Sequence, residues 1–275
     1  MKIQIFTIFI ILLSSVSCNN DYPKEEQKLV IEGWIENGEI PVVLVGLSGN
    51  INNDGDNIAD FMVRWAKVSI SDGDSTYILT GGMDKNYFPP FVYKCYDLRG
   101  EPGKTYTLEV EYNDMKAYAV TSIPEPIEID TIEIKNTLDN NWLRAINVVL
   151  NSKSSQKEYF RLRYRDYDSE TRIYPSFMGT FYTEHETLNK SFPLYRAKRA
   201  TLKDYTPYFS VGTHLEVRLG HISEDSYNIW CDYDNAVYFS SNVFFKQQTD
   251  LRSNIVNGYG YWIGYGISKR KFIVE

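Results

Sequence analysis

The sequence predicts an all-β protein, with an N-terminal immunoglobulin-like or transthyretin-like sandwich followed by a second β-rich domain that contains one helix. Three observations predict this class. Aromatic residues make up 15% of the chain, and 22 of its 275 residues are tyrosine. Segments rich in Val, Ile, Thr and Tyr, the residues that fit a pleated surface, are short. Turn residues separate these segments at regular intervals, as they do in β-sandwiches.

The first domain, residues 28–123, contains the strands expected of a sandwich. The candidate strands cover residues 29–35, 42–47, 66–71, 76–80, 92–96, 105–112 and 116–122. Between them, pairs such as Asn37-Gly38 and Asp72-Gly73 supply side chains that tolerate turn conformations. About seven strands in roughly a hundred residues is the number expected of an immunoglobulin-like sandwich.

The second domain, residues 124–275, begins where Pro124 and Pro126 interrupt the strand pattern, because two prolines this close cannot continue a central strand. Residues 224–240 predict the one substantial helix: Ser223 is a good N-cap, two acids follow it, and aromatic residues recur at helical spacing. We interpret these aromatic residues as a packing face against the sheet. The candidate strands are 129–135, 143–150, 159–167, 177–182, 214–222 and a glycine-rich region at 254–266.

The N-terminus predicts export and lipid anchoring. One lysine precedes an apolar run from residue 3 to residue 13, small residues fill 14–17, and Cys18 follows directly. This order is typical of a secretory signal, and the apolar run is shorter than the roughly 20 residues that span a bilayer. We therefore predict a signal peptide at 1–17, acylation of Cys18, a tether at 18–27 and an outer-membrane, lipid-anchored protein. The alternative is a plain secreted protein in which Cys18 is incidental.

Charge and cysteine content limit the classes of partner. The chain carries 29 basic and 36 acidic residues, a formal net charge of −7, which argues against nucleic acid as a partner. Cys95 and Cys231 remain after Cys18, and an oxidising compartment permits either a disulfide or two separate thiols.

Sequence features that would support catalysis are weak. His214 and His221 are seven residues apart on a predicted strand, which places them on opposite faces of the sheet. We interpret the carboxylates as solvated surface charges, because none stands in an apolar environment that would suggest a raised pKa. Residues 50–56 resemble the first half of a calcium loop, but Phe61 occupies the place of its bidentate glutamate, so a polar loop is favoured. We predict no enzyme activity, no metal and no cofactor.

One aromatic segment is a candidate for ligand recognition. Tyr87, Phe88, Phe91 and Tyr93 surround a proline pair at 89–90, which stiffens the backbone. Stiffened aromatic side chains make good binding anchors because they bury a large area for little loss of torsional freedom. These four residues are predicted to bind a ligand or partner. The alternative, that the rings lie partly buried beside the core, is equally open.

Several segments resemble a family of Bacteroidota outer-membrane lipoproteins known only as a domain of unknown function. The matching segments are Cys18 and residues 29–35, 66–73, 103–110, 221–223 with Tyr227, and 253–262; the Asn-Ile-x-Asn-Gly-x-Gly element at 254–260 is the most specific. Members of this family are typically encoded beside TonB-dependent receptors. The resemblance therefore implies a non-enzymatic lipoprotein that assists such a receptor in nutrient capture, with an unknown ligand. The alternative function is a surface adhesin or structural envelope protein without a receptor partner.

Overall fold

The computed structural model of the chain describes residues 27–48, 62–138, 140–152, 154–169, 172–184, 187–197, 205–239 and 251–275. The predicted signal peptide, Cys18 and nearly all of the tether lie outside these residues, as does the calcium-like loop at 50–56. The described part contains sixteen strands and one helix.

The described elements number eight in the first half of the chain and nine in the second. The first half contains β1 (Leu29–Glu36), β2 (Val42–Leu47), β3 (Lys67–Ser71), β4 (Thr76–Ile78), β5 (Thr80–Met83), β6 (Phe91–Lys94), β7 (Thr105–Tyr112) and β8 (Met115–Ser122). The second half contains β9 (Ile129–Asn136), β10 (Leu143–Ser152), β11 (Glu158–Asp166), β12 (Tyr174–Thr183), β13 (Thr187–Leu194), β14 (Phe209–Ser210), β15 (His214–Ile222), α1 (Glu224–Phe239) and β16 (Gly258–Ile273).

The largest sheet has eight strands in the order β12-β11-β15-β16-β1-β2-β6-β5, so it draws on both halves of the chain. Its centre is the 16-residue strand β16. The first half of β16 pairs in parallel with β1, and its second half pairs antiparallel with β15. One strand thus joins the two predicted domains into a single sheet.

The N-terminal core lies between this sheet and a four-stranded sheet of order β4-β3-β7-β8. Alternate residues of β1, including Leu29, Ile31 and Ile35, point into it and are fully buried. Trp262 of β16 is also fully buried there, and its indole N–H donates to the carbonyl of Tyr106 at 3.0 Å. The first core therefore includes residues from beyond the predicted boundary at Pro124.

The C-terminal core lies between the β11 and β15 strands of the large sheet and a second four-stranded sheet, in which β10 pairs with β9 on one side and with β13 and β14 on the other. Phe160 and Leu162 of β11 and Val217 and Leu219 of β15 fill it. A second sandwich results, beside the first and on the same side of the large sheet.

The helix α1 covers part of the opposite face of the large sheet. The Ser223 hydroxyl accepts from the N–H of Ser226 at 3.2 Å, which is the expected N-cap bond. Ile229 is buried, and Tyr227, Trp230 and other aromatic residues of α1 pack against β16. The predicted helix and its aromatic packing face are therefore confirmed. No helix within the described ranges is long and apolar enough to cross a membrane.

The all-β class with sandwich packing and one helix is confirmed. Two predicted strands differ from the structure, and two observed strands, β13 and β14, were not predicted. The strand predicted at 76–80 is two strands, β4 and β5, which pair with different sheets. The glycine-rich terminal strand starts at Gly258 and continues beyond 266 to Ile273. Within it, a Cβ at Gly264 would collide with the backbone of Ser122, so the close approach of these two strands requires glycine at this position.

Candidate ligand-binding site

The exposed face of the large sheet forms a concave cavity of about 830 Å³, which we call the basin. Its floor consists of β1, β16, β15 and β11; α1 borders one side, and the loop of residues 84–90 borders another. Its aromatic lining residues are Trp34, Tyr87, Phe88, Trp230, Tyr261 and Tyr265. Its charged lining residues are Glu32, Glu36, Glu39, Lys94, Arg161, Arg163, Arg165, Arg172, Arg218 and Lys269.

Strand alternation determines which side chains reach the basin. Successive side chains of a strand point to opposite faces, so a buried core on one face leaves every second residue for the other. On β11, Phe160, Leu162 and Tyr164 enter the second core. The residues between and after them, Arg161, Arg163 and Arg165, are left to line the basin.

Two buried carboxylates bind the central arginines. Glu36 accepts from Arg163 Nη2 at 2.7 Å and also from Arg218 Nη2. Glu216 accepts from Arg218 Nη1 at 3.1 Å and from Arg165 Nη2 at 2.9 Å. The result is a continuous ion-pair network that joins β1, β15 and β11 across the floor.

The arginines keep both carboxylates ionised. Burial on its own would raise the pKa of the Glu36 carboxyl, but Arg163 and Arg218 outweigh burial and lower that pKa below its ordinary value. Burial likewise opposes ionisation of Glu216, and Arg165 and Arg218 lower its pKa. The expectation that the carboxylates are solvated surface charges is wrong here, since Glu36 is 4% and Glu216 1% exposed.

A second ion pair fixes the helix side of the basin. Arg161 donates to both oxygens of Asp234 at 3.1 and 3.2 Å, and also to the hydroxyl of Thr180 at 2.6 Å. Its guanidinium lies 3.8 Å from the ring centre of Trp230, a cation–π contact. The indole N–H of Trp230 donates to the Tyr265 hydroxyl at 2.8 Å. The aromatic wall is therefore held rigidly by polar contacts.

Glu32 differs from the other floor carboxylates. Burial raises its pKa, and the hydrogen bond from the Tyr261 hydroxyl, at 3.5 Å, offsets this only in part. Among the described residues, no arginine or lysine forms an ion pair with it. Burial also raises the pKa of the neighbouring Tyr233 to about 12, with a further contribution from Glu32.

The loop of residues 84–90 brings two of the four predicted binding residues to the basin. Tyr87 is half-buried, with its ring centre 5.8 Å from that of Trp34, and Lys94 lies 4.8 Å above the Tyr87 ring. Lys94 also pairs with Asp84 at 2.5 Å, which ties the start of the loop to β6. Phe88, at the rim, is 66% exposed.

The other two predicted binding residues face away from the basin. Tyr93 is 2% exposed in the first core, where its hydroxyl donates to the carbonyl of Val63 at 2.9 Å. Phe91 packs against Tyr93 with ring centres 5.5 Å apart. Each of the two alternatives left open by the sequence therefore holds for two residues. Tyr87 and Phe88 line the cavity, whereas Phe91 and Tyr93 pack with the core.

The remaining candidate positions do not form a site. Cys95 and Cys231 are both free thiols. His221 lies on the core face of β15, stacked on Phe160, and His214 contacts Tyr167 at the other end of that strand. In the part of the chain that the structure describes, no group of three His, Cys, Asp or Glu residues could hold a metal ion.

Sequence reasoning missed the arginines of the basin. The signal was present in residues 160–165, where aromatic or aliphatic residues alternate with arginine. That period of two on a strand with one buried face places three guanidinium groups side by side. Their carboxylate partners are distant in sequence and left no local signal.

Comparison with known proteins gives one family and no curated relative. No curated protein matches the chain. The sequence model of a family described as Domain of unknown function (DUF4249) matches residues 17–271, which is nearly the whole chain. The chain therefore belongs to the DUF4249 family.

Proposed function

We propose that this protein is a non-enzymatic, lipid-anchored protein of the outer membrane that holds a small ligand in the basin and assists a TonB-dependent receptor in nutrient capture. The observation that carries the proposal is the basin, a concave cavity of about 830 Å³ lined by aromatic and charged side chains. Small-molecule sites usually occupy roughly 300–1,000 Å³ and combine these two kinds of lining.

The state of the floor carboxylates supports binding rather than hydrolysis. Glu36 and Glu216 are ionised, buried and engaged by arginines, so neither has a proton to donate to a substrate.

The lipid anchor rests on the sequence. Ten residues from Cys18 to residue 27 span at most about 35 Å when fully extended, so the folded body would remain close to the membrane surface. Two or three acyl chains on one cysteine would hold it there stably. The receptor partner rests on the family resemblance together with the exposed rim at Phe88.

A concave cavity favours capture of a small ligand over the adhesin alternative, which would need a broad contact surface. Large protein–protein interfaces are built from extended patches, and their central anchors insert into a partner. Phe88 is the rim residue best placed for such contact, since its ring is 66% exposed. In this proposal it touches the receptor or the bound ligand.

The test is recovery of the receptor with the full-length lipoprotein from detergent-solubilised outer membranes. Wild type is compared with the double variant Tyr87→Ala/Phe88→Ala and with Trp65→Ala, a control whose ring is 88% exposed and lies outside the basin. We expect the folded fraction of the double variant to lose about 2 kcal/mol or more of receptor-binding free energy. Some stability is lost as well, because the half-buried Tyr87 ring packs against Trp34. Unchanged recovery by the folded double variant, or absence of a TonB-dependent receptor from the wild-type sample, would contradict the proposal.

A further inference from the structure

The central floor of the basin carries a row of cations that packing does not require. Arg163 of β11, Arg218 of β15 and Lys269 of β16 occupy directly opposed register positions on three neighbouring strands. Like charges directly opposite one another destabilise a sheet. This row is therefore an unfavourable arrangement that the structure maintains at the centre of a cavity.

The carboxylates in contact with these cations do not balance them. The next row along the same strands consists of Arg165, Glu216 and Lys271. The five cations of the two rows pair with only three carboxylates, Glu36, Glu39 and Glu216, which leaves an excess of two positive charges. The excess is local, because the chain as a whole has a net charge of −7.

The same arginines have unmet hydrogen-bond donors. The Nε atoms of Arg163, Arg165 and Arg218 are buried and have no hydrogen-bond partner among the described residues. Buried donors without a partner are rare in native proteins. The unmet donors show that the protein's own acceptors do not saturate these arginines. A ligand with negative charge would offset the surplus positive charge.

Flat aromatic surfaces stand beside the cationic rows. Trp34 lies on β1 two residues before Glu36, and Tyr87 packs beside it. Arg163 already uses one aromatic surface, since its guanidinium lies 4.3 Å from the ring centre of Tyr265. The uncharged part of a ligand can therefore pack on Trp34 and Tyr87 while its charged group lies next to the cations.

We propose that the basin binds a small organic oxyanion, a carboxylate or phosphate attached to a ring or another flat body. Arg163, Arg165 and Arg218 bind the oxyanion, because a guanidinium matches the planar geometry of carboxylate and phosphate oxygens. Trp34 and Tyr87 contact the ring. This assignment rests on the proposed function and names the class of ligand for the same cavity.

The test uses three probes that share one sugar ring: D-glucose, D-glucuronate and D-glucose 6-phosphate. The full chain in mild detergent is titrated with each probe by isothermal calorimetry at constant ionic strength. Charge-assisted hydrogen bonds favour the two anionic probes over glucose by roughly ten-fold to a hundred-fold. Whichever of the two binds more tightly distinguishes a carboxylate ligand from a phosphate ligand.

Three variants separate recognition from folding. Arg163→Gln should weaken binding of the anionic probe at least about ten-fold, and Arg172→Gln, at the exposed rim, should weaken it less. Glu32→Gln should strengthen it, because the substitution removes from the basin a negative charge that forms no ion pair with any described arginine or lysine. A purely structural ion network would give no gain in Glu32→Gln. Arg64→Gln, an exposed arginine outside the basin, is the control and should bind like wild type.

The outcomes distinguish the two proposals. Equal binding of glucose and the anionic probes would overturn the oxyanion assignment and leave the basin as a ligand site. Failure of all three probes to bind would overturn the oxyanion assignment, whereas the ligand site itself is overturned if the wild-type protein isolated from its own cells carries no small molecule. If Arg163→Gln does not fold, the variants Arg172→Gln and Glu32→Gln test the oxyanion assignment in its place. Unchanged anion affinity in both of these variants overturns the assignment.

Discussion

Replacement of Glu36 by glutamine should destabilise the protein strongly, although it changes only one functional group. Glu36 is 4% exposed and is the carboxylate that pairs with both Arg163 and Arg218. A carboxamide has the same shape but no charge, so two buried guanidinium groups would lose their common counter-ion. Removing one member of a buried ion pair typically costs about 3–5 kcal/mol.

The contacts that remain in Glu36→Gln place the loss of unfolding free energy near the lower end of that range. Arg218 retains its contact with Glu216 at 3.1 Å, and Arg163 retains the face of Tyr265. We therefore expect a loss of about 3 kcal/mol in the free energy of unfolding. For a chain of this size, 1 kcal/mol corresponds to about 2–4 °C in melting temperature, so Glu36→Gln should melt about 6–12 °C lower.

The assay is thermal and urea unfolding of the full chain at pH 7, with Glu39→Gln as the matched control. Glu39 lies three residues further along the chain and also forms one ion pair, with Lys269 at 2.7 Å, but both side chains are substantially exposed. Exposed pairs contribute about 0.2–1 kcal/mol, so the control should lose little stability. An equal loss of unfolding free energy in the two variants would refute the argument that burial makes loss of the Glu36 ion pairs strongly destabilising.

Three further predictions follow from the same structure. Glu36 and Glu216 have lowered pKa values in the folded state. The stability that they contribute is therefore present above the ordinary pKa of 4.5 and is lost as the pH falls below it. A melting temperature that stays constant from pH 6 to pH 3 would contradict this prediction. Trp262→Ala should cost about 3–5 kcal/mol in urea unfolding, because the ring is fully buried in the first core; a loss below about 1 kcal/mol would mean that the core is not packed as described. Cys18→Ala should leave the precursor unprocessed or release the protein from the membrane, and a mature N-terminus other than an acylated Cys18, read by mass spectrometry of wild type, would exclude the predicted anchor.

Sequence predicted the elements well where the pattern is local. Residues 215–219 alternate strictly between apolar and charged residues, and β15 has the predicted bounds, 214–222. The helix was predictable from its N-cap and the spacing of its aromatic residues, and α1 begins and ends within one residue of the prediction. In both cases the signal lies within one element.

The architecture and the basin depend on contacts that no local pattern contains. Glu36 pairs with Arg163, which is 127 residues away, and with Arg218, which is 182 residues away. Its burial was unpredictable because its apolar and cationic neighbours come from other strands. The parallel pairing of β1 with β16 joins the two ends of the described chain, and the order of predicted strands gave no sign of it.

The domain boundary at Pro124 stays a prediction, and two features of the structure bear on it. Residues 124–126 do separate the strands of the two small sheets, since β8 ends at Ser122 and β9 begins at Ile129. The chain nevertheless returns to the first core near its end, where Ile255 and Trp262 are packed. A fragment that stops at residue 123 would lack these side chains and the central strand β16.

The central claim is that the basin holds a small ligand, and native mass spectrometry of the full chain isolated from the cells that make it tests it most directly. The protein is purified in mild detergent without added ligands, as wild type, as Arg163→Gln and as the exposed control Arg64→Gln. We expect a small-molecule adduct on the wild type and on the control, and its loss or marked reduction in Arg163→Gln at equal folded fraction. Absence of any adduct on the wild type, or an identical adduct on all three proteins, would contradict the account.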